Sequence, residues 1–260
     1  MIYLIVNDIL LNKKEIKIFT KKNTIEFCGI DEYVHNNLEL PSPAIREIPK
    51  WYKDSTSFFD SNTMQFVGND SAPSGTIKSC MPVLDLMTTG WIQKTWCDIY
   101  FEVKNGSLSY RYSSGPNPIE VRDIKSLGHL DIPEEYEKIS FVWKRPWFIK
   151  TPANYSTIYT HPFYRTDLPF TSMSAIIDSD NYYANGKVAF FLRKGFSGLI
   201  PAGTPMYQII PFKKDNWTGM KAKDSDIFLK DVEKIEYNIK KHFTGSYKKQ
   251  YWNKKEYKNI

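Results

Sequence analysis

Five side chains in one stretch of the sequence have the types needed for chemistry: His161, Arg165, Asp167, Asp178 and Asp180, with Tyr182 close behind. A histidine and a carboxylate completed by a second histidine form the ligand set of a non-haem iron site. That set ordinarily shows a histidine and an acid close together and a second histidine far away. No acid stands two residues from His161, and His35, His129 and His242 sit in no supporting context. No metal and no cofactor are therefore expected. Without a metal, the same residues would serve a small polar ligand or substrate. Arg165 would pair with an acid, and Asp178 and Asp180 would share one face of a strand, where mutual repulsion raises one pKa. A plainer alternative stays open for each. The ring of His161, followed by Pro162, can bond the backbone of a turn, and Asp178-Ser179-Asp180-Asn181 is a strong turn sequence. The site reading predicts that His161, Arg165, Asp178 and Asp180 lie in one neighbourhood.

A second constellation closes the chain. Lys248, Lys249, Lys254 and Lys255 alternate with Tyr251 and Trp252, flanked by Tyr247 and Tyr257. Cations interleaved with rings suit single-stranded nucleic acid, lysines on phosphates and rings on bases. They equally suit a latch whose rings pack on the body or on a neighbouring subunit while lysine stems run along them. The tail has no arginine, which a dedicated nucleic-acid groove would favour. Leaving four large aromatics in water would forgo roughly 1.5–3 kcal/mol each. Trp252 is therefore expected to contact the body or another chain.

The elements that must position these residues read as short strands. Alternation or β-branched and aromatic enrichment marks Ile2–Val6, Glu15–Phe19, Thr24–Cys28, Trp91–Val103, Ser107–Tyr112, Ser140–Lys150, Tyr155–Thr160, Ser172–Asp178, Lys187–Arg193 and Thr204–Phe212. Asn105-Gly106 signals a hairpin. Pro41–Tyr52 has room for one short helix, and residues 113–125, rich in Pro, Gly and Asn, read as a long loop. Only Asp224–Phe243 reads as a substantial helix, capped by Asp224 or Ser225, with Ile227, Val232, Ile235, Ile239 and Phe243 near one stripe and Gly245 marking its end. Turns about ten residues apart suit a sandwich or barrel better than βα units.

Composition agrees with a folded body. Hydrophobic residues make up 42% of the 260, enough to build a sizeable core. The net charge of +6 is local: from Lys240 onward stand seven lysines and one acid, so the rest of the chain is balanced. Three cysteines, Cys28, Cys80 and Cys97, lack metal-ligand spacing and read as buried free thiols in a reducing compartment. Met1–Leu11 lacks the features of a signal peptide, and no stretch has the length of a membrane span. The phosphate-binding glycine loops, the serine-hydrolase elbow and the zinc-protease helix motif are all missing from the sequence.

Two resemblances follow from these segments. Thr151, Pro152, Tyr155, Ser156, Thr160, His161, Pro162, Arg165, Asp167–Phe170, Ser174, Asp178, Asp180 and Tyr182, then Ile200–Pro205, Gln208 and Ile210–Phe212, resemble the recurring pattern of a family of bacterial and tailed-phage proteins to which no activity is attached. Ser174–Leu192 with Leu199–Phe212 also resembles the β-clip core of dUTPases and dCTP deaminases. That likeness implies a β-clip or jelly-roll topology, with Asp178 and Tyr182 facing a sugar. No Pro-Arg-Ser phosphate motif and no glycine-rich C-terminal arm accompany it.

The expected protein is thus all-β, of sandwich, jelly-roll or β-clip type, with a body over residues 1–223 and a C-terminal helix and basic tail over 224–260. Its expected role is a phage-type binding or assembly module. It is expected to be soluble and cytoplasmic, in a host cell or virion, with a homo-oligomer or a small polar ligand as partner. An enzyme built on His161, Arg165, Asp178 and Asp180 is one alternative, and a single-stranded nucleic-acid accessory protein is another.

Overall fold

The computed structural model describes residues 23–57, 76–105, 107–184, 186–241 and 246–260. The expected strands Ile2–Val6 and Glu15–Phe19, and the expected helix end at Phe243 and Gly245, lie outside them. Pleated alternation and β-branched or aromatic residues give fourteen strands among the described residues. In chain order these begin with β1 (Glu26–Gly29), β2 (Ser42–Pro43), β3 (Trp91–Lys94), β4 (Ile99–Lys104), β5 (Ser107–Tyr112), β6 (Ile119–Arg122) and β7 (Ser140–Lys144). They continue with β8 (Trp147–Lys150), β9 (Tyr155–Thr160), β10 (Phe170–Ser172), β11 (Ala175–Ile177), β12 (Lys187–Leu192), β13 (Gly198–Ile200) and β14 (Pro205–Lys213). The helices are α1 (Glu32–Asn37), α2 (Lys50–Asp54), α3 (Met81–Thr88), α4 (Ser225–Lys241) and α5 (Ser246–Gln250).

Four sheets result, with strand orders β1-β8, β10-β12-β7-β6, β11-β9-β14-β3-β2 and β13-β4-β5. Every described pair is antiparallel. The all-β class expected from the sequence is the class observed, with a helical C-terminal end. One apolar core draws on all four sheets: Trp147 and Ile149 of β8, Trp143 and Phe190 of β7 and β12, Tyr159 and Ile209 of β9 and β14, and Ile99 and Phe101 of β4. At its centre the rings of Trp143 and Phe190 stack 3.8 Å apart at 11°. Trp143 also donates to Ser172 Oγ, which donates in turn to the Met206 carbonyl, fastening β10 to β14.

Several local expectations are corrected. Prolines fragment the stretch 41–52 into β2, a 3₁₀ turn at Ala44–Glu47 and α2, which starts directly after Pro49. The loop expected at 113–125 contains β6, paired to β7. The run Trp91–Val103 breaks at Thr95–Asp98, sending β3 to one sheet and β4 to another. Helix α3 was not expected; its Pro82 sits in the first helical turn, where no amide donor is needed. Cys97 is buried, with its thiol pKa pushed up by burial, whereas Cys28 is exposed and Cys80 half-buried, so the thiols are free but not uniformly internal.

Candidate functional site

The acids after β11 form a bonded turn. Asp178 Oδ1 accepts from Ser156 Oγ at 2.6 Å, and its carbonyl accepts from the amides of Asn181 and Tyr182 at 3.0 and 2.7 Å. Ser179 is buried between the hydroxyls of Thr151 and Thr157, at 2.8 and 2.6 Å. The carboxylate of Asp180 accepts from the Asn154 amide at 2.9 Å and from Lys214 Nζ at 2.8 Å. Burial pushes the Asp180 carboxyl up, but these bonds outweigh it and hold the group below the usual carboxylate range. Asn154 is left-handed, at φ 67°, a conformation asparagine tolerates. The turn thus holds the loop before β9 and the end of β14 together. Tyr182 follows it with 56% of its surface exposed.

The His161 turn is bonded as fully. Its Nδ1 accepts from the Ser172 amide at 3.2 Å, so Nε2 carries the proton and donates to the Arg165 carbonyl at 3.2 Å. Burial lowers the pKa of the ring, favouring this neutral form. The Arg165 guanidinium makes a two-toothed contact with Asp167, both bonds 2.8 Å, and holds that carboxyl below its ordinary range.

The two groups do not meet. Asp178 bonds Ser156 at the start of β9, and His161 follows the end of the same strand. Five residues of extended chain put the two ends about 16 Å apart. The expected neighbourhood of His161, Arg165, Asp178 and Asp180 is therefore corrected. Arg165 has an acid partner, but it is Asp167. Nor do the described residues contain a group of three or more histidine, cysteine or acidic side chains able to hold a metal ion.

Other residues carry more of the architecture than the motifs suggest. Arg145, 3% exposed, donates to the carbonyls of Gly186 and Ala184 at 2.7 Å each and to the Tyr159 hydroxyl at 2.5 Å. It clamps the loop that leaves the acid turn. Buried Gln208 bonds the carbonyls of Leu86 and Thr89 and the amide of Phe163, joining α3 to β14. An arginine at a strand bend followed by Pro146 was the one legible hint of the first; nothing local marks the second.

The basic tail returns to the body. Trp252 Nε1 lies 2.9 Å from both carboxylate oxygens of Asp85 on α3, and Lys255 Nζ reaches the same carboxylate at 2.5 Å. Tyr257 packs edge-on against Trp91, whose Nε1 donates to Asn259 Oδ1 at 2.9 Å, while Asn259 donates to the Pro41 carbonyl. Tyr251 is half-buried, Lys248 lies over the Trp252 ring, Lys249 is exposed, and Lys254 pairs with Glu256. The strap roofs a cleft of about 510 Å³ with Phe27, Trp91, Tyr155 and Pro211 in its walls. Asp85, Trp91 and Asn259 were missed from sequence, because a lone acid and a lone asparagine signal no pairing across 167 or 168 positions.

Among the described residues no helix is long and apolar enough to cross a membrane. No protein-family model matches the chain, and no curated protein does. Two solved structures overlay part of it. Both are phage dUTPases. One is the dUTPase of phage phi11 of S. aureus, at 10% identity and a TM-score of 0.24, covering 42% of this chain and 97% of that one. The other is a single-residue mutant of that enzyme, described for its structural Mg(II) ion, at 10% identity and 0.23, covering 42% and 98%. An overlay at that score carries nothing about activity.

Proposed function

We propose that the chain is a binding or assembly module, with a body over residues 1–223 and a C-terminal segment over 224–260, that associates with copies of itself. The resemblance to bacterial and tailed-phage proteins carries no activity and suggests only the setting, a host cytoplasm or a virion. The observation that carries the reading is the C-terminal segment. A 17-residue helix leaves apolar side chains in water, and the chain beyond it is tied back to the body by Asp85, Trp91 and Pro41. An enzyme on a small polar substrate would need His161, Arg165, Asp178 and Asp180 converging in one cleft. Their separation along β9 and their internal hydrogen bonds favour a framework role instead. The engagement of Trp252 and Tyr257 with the body likewise favours a latch over a nucleic-acid surface.

Sedimentation velocity on the full chain across the micromolar range tests this. Self-association, with no salt-sensitive binding to single-stranded DNA, is the expected result. A strict monomer that turns over a nucleotide or other small polar substrate overturns the reading.

A further inference from the structure

We infer that α4 is the self-association surface, pairing antiparallel with α4 of a second copy. The inference rests on the assembly reading above and names the surface that reading requires.

At 100° per residue, Phe228, Val232 and Ile235 fall within about 60° of arc, and Ile239 continues the row. The spacing of four, three and four is that of a seam between two helices. Phe228 is 61% exposed and Ile235 42% exposed. The helix is nevertheless well defined at its start, where Asp224 Oδ1 accepts from the amides of Asp226 and Ile227 at 3.0 Å each. Its main packing partner among the described elements is α5. The linker before it, residues 215–224, is exposed throughout, with Trp217 and Met220 in water. An amphipathic helix between an exposed linker and an anchored strap thus presents Phe228 and Ile235 outward.

Charge identifies the occupant. The first part of the segment carries Asp224, Asp226, Asp231 and Glu233 against Lys230, and the second carries Lys234, Lys240 and Lys241 against Glu236. A parallel partner would set like charge beside like. An antiparallel second copy sets the acidic part of each helix beside the basic part of the other and closes the row of one on the row of the other. It does so with two-fold symmetry, the commonest closure of homo-oligomers.

The test is sedimentation velocity on the full chain and on Phe228→Asp/Ile235→Asp, with Ile235→Asn as a milder second variant and Lys230→Ala, on the opposite side of the helix, as a control. Both seam variants should weaken association by at least about tenfold while melting where the parent does at concentrations low enough to keep both monomeric, and Lys230→Ala should match the parent. If the parent associates and both seam variants associate as tightly, the inference fails while the assembly reading survives on another surface. If the parent is monomeric throughout, both fail. Co-sedimentation of the parent, but not of the seam variants, with phosphatidylserine vesicles would assign the row to a lipid surface and overturn the inference.

Discussion

At the acid turn, Asp178, Ser179 and Asp180 each reach a partner in the strand or loop beside them. Along α4, Phe228 and Ile235 face water instead. The first region has the residue types of an active site and uses them to hold backbone. The second has ordinary helical residues and leaves Phe228 and Ile235 uncovered. Reactive residue types are poor markers of function when their polar atoms are already bonded within the fold. Apolar surface left in water by an otherwise well-formed helix is the stronger pointer to a partner.

Breaking the framework side of this comparison should produce the largest effects. Arg145→Ala strips partners from the carbonyls of Ala184 and Gly186 and from the Tyr159 hydroxyl. At about 1–3 kcal/mol for each buried group left unpaired, the loss should reach about 3 kcal/mol or more, read as a lower urea midpoint. Asp180→Ala removes the bonds to Asn154 and Lys214 and should cost about 1–3 kcal/mol by the same measurement, with association unchanged. Equal stability in that variant would mean that the turn is not a staple.

Trp252→Ala removes a half-buried ring and its bond to Asp85, and should cost about 1–2 kcal/mol, read as a lower Tm. Truncation after Gly245 should lower Tm at least as far, and a truncated chain that melts like the parent would refute the latch.

The smallest effect is on pH dependence. The native state holds His161 neutral, below the ordinary pKa of about 6.5, whereas the unfolded chain takes up a proton near that value. Its contribution is therefore present above about pH 6.5 and lost as pH falls through the lowered native value. Asp180, held low, contributes above about pH 3.9 and loses that contribution as pH falls through its own native value. Urea midpoints against pH should show the first decline in the parent and lose it in His161→Asn.

Much of this framework was legible. Tyr155–Thr160 emerges as β9 with the expected ends because its aromatic and β-branched residues suit a buried strand, and Ser107–Tyr112 emerges as β5 because period-two patterning reports which face is buried. Asp224 could be named as a helix cap because capping is local. The gathering of His161 with Asp178 was misread because nearness in sequence says nothing about which end of an intervening strand each residue occupies. Asp85 with Trp252, and Arg145 with the 184–186 loop, depend on tertiary placement that one-dimensional spacing does not encode. β6 and β13 were hidden by brevity and neighbouring prolines and glycines.

The most direct test of the contrast is amide hydrogen exchange on the full chain at a series of concentrations. Amides of residues 225–239 should slow as concentration rises, because the pairing face forms between copies, while those of residues 174–182 should exchange at one rate throughout. Exchange in α4 that is independent of concentration, or protection that grows instead at the acid turn, would contradict the account.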